Sequence, residues 1–536
     1  MTSASERVGT SKTVACPREG DTKGQDISPE PYSDTGKETD GEDTLAEPMC
    51  CVVQTCEKGD HMNLHAKRLS RRHVLAGSGG ALAGLALAAC GAVPAATTAE
   101  EEQAEAPQAE APAPEKEAVY VLFATHPYFR FQEEEGVSAE LVAEFRAENP
   151  DIDFDVNPPS TSSSERYAAF RTAFAANTPH DLSSWGEWHA IELGALGQAR
   201  GLNDVVKSSN VDMEDIWTSL TENMVWSKDG QLYGFPYGPD LRVLYMHDGI
   251  FLENGLDPDN GPESWDDLEE VIQKTMRKDA AGNLIVAGFP PEWGSGGRYQ
   301  WITPLLQLGG KRISDDLSSA ALNSPEGVAA LTWVKKINDL QGGWDALGTL
   351  YGTARPSGSP RGAALVNGFA ATMYATYSTR KAEIYPIDEN FEFSIIEHPK
   401  PPDAVRQASW SGHHIWIMSS WTTVPEEAFA WIEFVSRPEN NLRWAKAWDR
   451  VPIRLSVANS TEFTEGDPFL EHQSYQIPFR ASHSLPIPGA DEMRTALSQF
   501  LPDVMAGNIT IQEGLANVEQ EWNNIIAKWQ ELVGGW

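Results

Sequence analysis

The chain has 536 residues, 78 of them acidic and 41 basic, which gives a formal net charge of −37. A surplus of this size repels nucleic acid and anionic lipid headgroups, so we exclude nucleic acid as a partner. The foldable part of the chain is longer than the roughly 250 to 300 residues that one hydrophobic core supports. We therefore expect two lobes.

The first 61 residues are polar and rich in turn-forming residues, and they precede a segment typical of an export signal. We interpret residues 1–61 as a leader that is untranslated or disordered, with Met62 as the true start of the protein. The chain has five cysteines, and a fold held by disulfides would need pairs of them in the folded body that follows the export signal. All of them lie at or before residue 90, namely Cys16, Cys50, Cys51, Cys56 and Cys90. Disulfides therefore do not hold the body together.

Residues 62–90 are interpreted as a twin-arginine and lipoprotein signal peptide. Arg71 and Arg72 precede an apolar run that is shorter than the ~20 residues of a membrane-spanning helix. Small residues before Cys90 predict cleavage there and attachment of a lipid to its thiol. Val74 and Ala76 depart from the usual twin-arginine pattern, so the twin-arginine and general export routes both stay open. We expect a periplasmic protein or one anchored to the outer face of the membrane by lipid alone.

The next segments predict a tether and an α/β body. Residues 91–117 alternate Ala, Pro, Gln and Glu and bury too little apolar surface to fold, so we expect a disordered tether. From Ala118 onward short β-rich runs alternate with amphipathic helical patterns, which predicts α/β layers with a largely parallel sheet. The first strand is predicted at Val119 to Ala124, and a helix with one apolar stripe follows at Leu141 and Phe145.

Several later helices carry recognisable start signals. Ser264 before Trp265, with Asp267 three residues after the serine, predicts a capped helix start, and Ser324 before Pro325 predicts another. Pro425 and Pro438 are also predicted at first helical positions. Five tryptophans lie at helical spacings and are expected in the core or at lobe surfaces: Trp431, Trp444, Trp448, Trp522 and Trp529.

Several segments resemble one family. They are residues 148–152 (Glu-Asn-Pro-Asp-Ile), 181–185 (Asp-Leu-Ser-Ser-Trp), 233–245 with Asp240 and Arg242, 410–418 from Trp410 to Met418, and 425–434. With these segments in this order, the chain resembles the extracellular solute-binding proteins of ABC carbohydrate importers, the family that includes maltose-binding protein. The resemblance implies an α/β fold of type II with two lobes, a hinge and an interlobe cleft that closes on a solute. It implies lobe 1 at 118–240 and 412–452, and lobe 2 at 241–411 and 453–536.

The resemblance also implies the ligand-binding residues. Sugar sites need flat aromatic rings against the apolar faces of the pyranose and charged acceptors or donors for its hydroxyls. The implied set is Trp185, Trp188, Tyr237, Asp240, Arg242, Trp293, Tyr377, Trp410 and His413. The alternative for Asp240 and Arg242 is a salt bridge across the hinge, and for the tryptophans it is burial under a lobe. His413 either reaches the ligand or is a satisfied loop histidine.

The common catalytic motifs are absent from the sequence, and we expect a binding protein without enzyme activity, cofactor or metal site. Asp151, Asp153 and Asp155 imitate a calcium loop, but Val156 occupies the place that requires glycine. The expected partners are a small carbohydrate and the permease subunits of an ABC importer, with the protein as a monomer. Two alternatives stay open. One is an exported, membrane-tethered carbohydrate-active enzyme, and the other is a solute sensor for a signalling receptor.

Overall fold

The structure is a computed structural model. It describes residues 14–15, 119–124, 136–157, 163–176, 178, 180–292, 297–355, 360–482 and 484–536. The chain divides into two compact units, residues 1–20 with 115–536 and residues 21–114, and every described residue belongs to the first. The predicted signal peptide, with Arg71, Arg72 and Cys90, and the predicted tether at 91–117 lie outside the described residues.

The strands of the described residues are β1 (Val14–Ala15), β2 (Val119–Ala124), β3 (Ile152–Asn157), β4 (Leu182–Gly186), β5 (Phe235–Pro239), β6 (Arg242–His247), β7 (Arg277–Lys278), β8 (Leu284–Val286), β9 (Thr372–Thr376), β10 (Phe393–Ile396), β11 (Ser409–Ser411), β12 (His413–Met418) and β13 (Arg480–Ser482). The α-helices are α1 (Val137–Glu148), α2 (Ser163–Ala175), α3 (Ala190–Ala195), α4 (Asn203–Ser208), α5 (Thr218–Thr221), α6 (Asp248–Glu253), α7 (Trp265–Thr275), α8 (Arg298–Gln307), α9 (Pro325–Leu340), α10 (Trp344–Ala354), α11 (Ala363–Val366), α12 (Pro425–Ser436), α13 (Pro438–Trp448), α14 (Leu455–Ala458), α15 (Thr461–Thr464), α16 (Pro468–Gln476), α17 (Ala490–Ala506) and α18 (Ile511–Val533).

Two main sheets organise these elements. One has five strands in the order β3-β2-β4-β12-β5, and the other has four in the order β1-β10-β6-β9. We call the part of the structure built around the five-stranded sheet lobe 1 and the part built around the four-stranded sheet lobe 2. The chain passes from the five-stranded to the four-stranded sheet between β5 and β6, and it returns between β10 and β12, through β11, which pairs with β13. These passages bring segments of both lobes to one region, where the candidate site lies.

The prediction of a largely parallel sheet holds for lobe 1 and is wrong for lobe 2. In lobe 1, β2 pairs in parallel with β3 and β4, and only β12 runs antiparallel to its neighbours. In lobe 2, β6 pairs antiparallel with both β9 and β10. Alternating strands and helices predict parallel crossovers, but several helices separate β6 from β9, and the direction of the returning strand is then set by packing.

Residues 14 and 15 lie inside the range that the sequence interprets as a leader. They form β1, whose Val14 is paired with Ile395 of β10 in antiparallel fashion at the edge of the lobe 2 sheet. The interpretation of residues 1–61 as a whole stays a prediction.

Helix α7 confirms the start signals read from the sequence. The Ser264 hydroxyl accepts the N–H of Asp267, and the Asp267 carboxylate accepts the N–H of Ser264, so both orphan donors are satisfied. Leu268, Val271 and Ile272 then form one buried face against lobe 2. The predicted starts of α9 at Pro325, α12 at Pro425 and α13 at Pro438 are also confirmed.

Aromatic rings fill both cores. In lobe 1, Phe145 of α1 meets Trp431 and Phe434 of α12 edge-on, each with a centroid distance of 5.4 Å. In lobe 2, Trp265 and Trp333 stack at 4.3 Å. Such pairs add to the burial energy of the rings. The expectation that the helical tryptophans pack in cores is confirmed for Trp431, Trp444, Trp522 and Trp529, which are buried, while Trp448 is partly buried against the lobe 1 core.

No helix among the described residues combines the length and the apolar character that crossing a bilayer requires. The same part of the chain holds no group of three or more metal-ligating side chains.

The lobe 2 core contains a histidine that makes stability depend on pH. His398 is buried against Tyr374, and burial lowers its pKa to about 4, although a hydrogen bond to the Pro399 carbonyl acts in the opposite direction. The folded protein therefore keeps this imidazole neutral at pH values where the unfolded chain binds a proton. Its stabilising contribution is complete above the unfolded pKa of about 6.5 and is lost as the pH falls toward 4.

We expect His398→Gln to reduce the loss of stability between pH 7 and pH 4 by about 3 kcal/mol relative to the unchanged protein. Urea denaturation at pH 7, 5.5 and 4.5 measures this difference. If the two proteins lose stability in parallel over this range, the histidine is not the titrating group.

Candidate functional site

The two passages between the lobes lie side by side and are hydrogen-bonded to each other. The N–H of Asp240 donates to the carbonyl of Gly412 at 2.9 Å, and the N–H of Gly412 donates to Oδ1 of Asp240 at 2.8 Å. A third segment joins them, because the N–H of Val451 donates to the carbonyl of Pro239 at 3.3 Å. These bonds hold the carboxylate of Asp240 at the hinge.

Arg242 begins β6 directly beyond this hinge and is only 6% exposed. Its Nη1 lies 3.7 Å from Oδ1 of Asp240, and its Nε lies 3.7 Å from Oε2 of Glu292. Both distances exceed the range of a hydrogen bond, and these two nitrogens have no hydrogen-bond acceptor among the described residues. Arg450 faces the other oxygen of Asp240, also at 3.7 Å. Gaps of this width between opposite charges suit a bridging hydroxyl oxygen or water.

Tyr299 of α8 provides an aromatic surface beside these charges. The guanidinium carbon of Arg242 lies 4.0 Å from the centroid of the tyrosine ring, and that of Arg298 lies 4.6 Å away. Nη2 of Arg298 also donates to the tyrosine hydroxyl at 2.8 Å. The ring of Trp410 is tilted against the same tyrosine at 4.9 Å. Cation–π contacts and ring packing thus fix two arginines and two aromatic rings in one cluster.

A second group of arginines lies on the other side of Trp410. Arg298, Arg312 and Arg494 line a small pocket against α17, and no described residue that lines it is acidic. Nη2 of Arg312 donates to the carbonyl of Ser484 at 3.0 Å. Burial lowers the pKa of Arg312 to about 10, although Glu187 opposes this shift. Burial also lowers the pKa of Arg298, and the positive charge of Arg494 adds to that effect. Arg494 is paired with Asp491 at 2.6 Å, so the positive charge at this pocket comes mainly from Arg298 and Arg312.

His413 belongs to a buried charge cluster at the start of β12. Its Nδ1 lies 2.7 Å from Oε2 of Glu187 and 3.0 Å from Nη2 of Arg480. Burial acts to raise the pKa of Glu187, but His413, Arg480 and the N–H of Ser484 outweigh burial and lower it. In this arrangement Nδ1 is satisfied by protein groups, whereas Nε2 has no hydrogen-bond partner among the described residues, so both alternatives that the sequence left open stay open.

Trp188 lies where the two lobes meet. It packs against core residues of both lobes, and the guanidinium carbon of Arg494 lies 4.5 Å from the centroid of its ring. Nearby, Arg171 of α2 reaches Asp491 of α17 across the same junction at 3.5 Å. The junction between lobes is therefore closed by an aromatic contact and an ion pair.

Three aromatic residues of the predicted ligand set lie in the cores. Trp185 is fully buried in lobe 1, Tyr237 packs on Trp416 in lobe 1, and Tyr377 is buried in lobe 2 with its hydroxyl 2.6 Å from Nδ1 of His472. None of the three contacts the cluster around Tyr299 in the contacts that the structure describes. Trp293 lies outside the described residues.

Gly186 follows Trp185 for a reason of packing. A glycine beside a tryptophan would also suit a loop at a cleft edge. Gly186 instead ends strand β4, all of whose residues are buried. A Cβ at this position would lie 2.4 Å from the ring of Trp188. The glycine is therefore required by the packing of Trp188 rather than by a loop.

Residues 140–469, more than half of the chain, match the family described as bacterial extracellular solute-binding protein. The chain belongs to this family. Among its curated relatives, the sn-glycerol-3-phosphate-binding periplasmic protein of Shigella dysenteriae is 24% identical over 437 residues, which cover 76% of this chain and 93% of that relative. The counterpart in Escherichia coli K12 is 23% identical over 433 residues, with the same coverage.

Solved structures of similar fold agree with this assignment. The cyclic alpha-maltosyl-1,6-maltose binding protein of Arthrobacter globiformis has a TM-score of 0.61 at 20% identity and covers 77% of this chain and 100% of its own. An ABC transporter solute-binding protein from Thermotoga lettingae, bound with alpha-D-tagatose, has a TM-score of 0.63 at 18% identity, with 76% and 100% covered. The predictions of the solute-binding family and of its two-lobed α/β fold are therefore confirmed.

Sequence reasoning missed several charged residues of this solute-binding protein's candidate site. They are Glu187, Glu292, Arg298, Arg312, Arg450, Arg480 and Arg494. Glu187 stands between Gly186 and Trp188, in a segment that the sequence singled out for its tryptophans alone. The others come from loops and helices far apart in the chain, and no local pattern distinguishes a buried arginine from a solvated one.

Proposed function

We propose that this protein captures a sugar or oligosaccharide between its two lobes and delivers it to the permease of an ABC importer. The observation that carries the proposal is the guanidinium of Arg242, which is buried at the hinge and has two nitrogens without an acceptor in the described part of the chain. Asp240 and Glu292 flank it at 3.7 Å. A vicinal diol that enters these gaps would accept from the arginine and donate to the carboxylates, which are charge-assisted and therefore strong hydrogen bonds.

The balance of charge in this group favours a neutral polyhydroxylated ligand. Asp240 and Glu292 offset Arg242 and Arg450, while Tyr299 supplies a flat ring beside them. Similar proteins named as binders of cyclic maltosyl-maltose or bound with tagatose share the fold. The ligand-binding set that we propose therefore keeps Asp240, Arg242, Trp188, Trp410 and His413 from the sequence and adds Tyr299 and Glu292.

We also propose where the protein resides in the cell and where its two lobes begin and end. The protein is extracytoplasmic and is held to the membrane by a lipid on Cys90. Its export is directed by the signal that contains Arg71 and Arg72. It acts as a monomer without enzyme activity. Lobe 1 comprises 118–240 and 412–452, and lobe 2 comprises 241–411 and 453–536. The family assignment supports an extracytoplasmic location, and the positions of the passages at Asp240 and Gly412 support these boundaries.

A thermal-shift screen with maltose, maltotriose, tagatose, glycerol and sn-glycerol 3-phosphate tests the proposal, since a ligand that binds only the folded state raises its melting temperature. For a sugar that binds, we expect Arg242→Met to weaken affinity by about 10- to 100-fold, because hydrogen bonds to a charged group contribute about 1.5 to 3 kcal/mol. Isothermal titration calorimetry measures this loss.

Arg437→Met serves as the matched control, because that arginine pairs with Glu148 at the surface of lobe 1, away from the hinge. It should bind as the unchanged protein does. Unchanged affinity in the Arg242 variant would contradict the site assignment, and turnover of the oligosaccharide by the purified protein would support the carbohydrate-active enzyme instead.

A second candidate ligand is an anionic polyol. The pocket lined by Arg298, Arg312 and Arg494 lies next to the hinge cluster through Trp410 and Tyr299, so one molecule could present hydroxyls to Asp240 and an anion to the arginines. Curated relatives are named sn-glycerol-3-phosphate-binding proteins. Stabilisation by sn-glycerol 3-phosphate but not by glycerol in the same screen would favour this ligand over a neutral sugar.

A further inference from the structure

A pocket lies in lobe 2 beside Glu292. Its cavity volume is about 60 Å³, and an open mouth connects it to solvent. Strand β9 and helices α10 and α11 form its walls together with the segment at 287–292. The proposed function makes no use of this space.

Most of the described residues that line the pocket are apolar. Leu347, Leu350 and Ala354 project from α10, and Phe369 and Met373 face them. Most of the other lining residues are alanines and prolines. Such walls offer apolar surface and few hydrogen-bonding groups to an occupant.

The polar groups at the pocket already bond to protein. Oε1 of Glu292 lies 2.9 Å from Nη1 of Arg361, whose Nη2 lies 2.8 Å from Oε1 of Glu383. The hydroxyl of Tyr374 is within 3.2 Å of Thr303 Oγ1. The hydroxyl of Tyr351 accepts from Arg355. A pyranose in this pocket would bury several hydroxyls with too few partners, which is costly, whereas an apolar group would lose nothing.

The pocket adjoins the hinge site through one side chain. Glu292 lines the pocket and also faces Nε of Arg242 at 3.7 Å. A ligand whose hydroxyls bond to Asp240 and Arg242 therefore lies one side chain away from the apolar space.

We propose that this pocket binds an apolar substituent of the transported solute, so that the ligand is a polyhydroxylated head that carries an aryl or short alkyl group. The identity of the head group rests on the proposed function. The apolar character of the substituent rests instead on the residues that line the pocket.

The test compares p-nitrophenyl glycosides with the methyl glycosides of the same sugars, glucose, galactose and mannose, by titration calorimetry. We expect the aryl compound of the recognised sugar to bind about 10- to 100-fold more tightly, the gain from burying a ring of that size. Ala364→Leu, which fills the pocket from α11, should remove this gain and leave the methyl glycoside unaffected. Ala430→Leu on α12 of lobe 1 makes the same change away from the pocket and should keep the gain.

Xenon-pressurised crystals of the unchanged protein and of Ala364→Leu provide an arm that does not depend on sugar binding. We expect a xenon atom in the pocket of the unchanged protein and none in the variant. Equal affinities of aryl and methyl glycosides would overturn the proposal. If no glycoside binds, the proposed head group is wrong, and the absence of xenon would then overturn the apolar pocket as well, whereas bound xenon would support it.

Discussion

Replacing Arg380 by methionine is expected to lower the free energy of unfolding by about 3 to 5 kcal/mol, the cost of leaving a buried charge without its main partner. Arg380 donates from Nε and Nη2 to both oxygens of Asp449, each at 2.8 Å, and Asp449 is fully buried. It also pairs with Asp467 at 2.7 Å. Burial acts to lower the pKa of Arg380, but the two carboxylates outweigh burial and raise it. Urea denaturation with circular dichroism measures the loss.

The matched control is Arg443→Met. That arginine also bridges two carboxylates, those of Glu140 and Glu144, but the arginine is 34% exposed and the glutamates are 57% and 47% exposed. We expect a loss of at most about 1 kcal/mol there. In the Arg380 variant, Lys381 still lies 3.3 Å from Asp449 and partly compensates for the lost positive charge.

Asp449→Asn should recover part of the loss in the Arg380→Met background. It removes the buried charge, and asparagine tolerates the positive φ of 49° at this position. If the Arg380 and Arg443 variants lose equal stability, burial does not decide the strength of these pairs.

Replacing Trp185 by alanine is expected to cost about 3 to 5 kcal/mol of stability, the range for removing a large aromatic side chain from a core. Its ring stacks on Tyr167 at 5.4 Å and contacts Phe170 at 5.1 Å, and its Nε1 donates to Oγ of Ser183 at 2.7 Å. A tryptophan at a cleft wall would instead lower affinity and leave stability nearly unchanged. Thermal unfolding and calorimetry on the same variant separate the two roles.

Trp421→Ala is the control for this variant. Trp421 lies in the same lobe and contacts Phe174, but it is 42% exposed. We expect its loss to cost less, since a large part of Trp421 stays in contact with water in the folded protein. A Trp185 variant that stays as stable as the Trp421 variant but binds its sugar weakly would restore the ligand role implied by the family resemblance.

The elements that could be predicted were those with a local cause. The start of α7 follows from Ser264 and Asp267, whose hydrogen bonds lie within one turn, and the strand from Val119 to Ala124 follows from its β-branched and aromatic residues. The direction of β9 and β10 against β6 could not be predicted in this way. Their pairing joins residues more than a hundred positions apart, and no local signal records it.

The residues of the candidate site also fall into those that the sequence predicted and those that only the structure revealed. Asp240 and Arg242 were predicted because both stand in one short segment that resembles the hinge of the family. Tyr299 and Glu292 meet Arg242 only after α8 and the segment at 287–292 have packed onto lobe 2, so their part in the site is a property of the assembled fold. Trp185 lies in the core of lobe 1. Its ring type and the neighbouring glycine do not report which face of a buried strand the side chain takes.

The sequence alone determined the class of the protein, its acidic character and the start points of its main helices, because composition, family motifs and capping act over a few residues or over the whole chain at once. Only the tertiary structure decided which charges are buried at the hinge, which tryptophans lie in the cores and where apolar space stays open beside Glu292. Burial and distance arise when segments remote in the chain pack together, and these two quantities set the strength of every ion pair and hydrogen bond in the site.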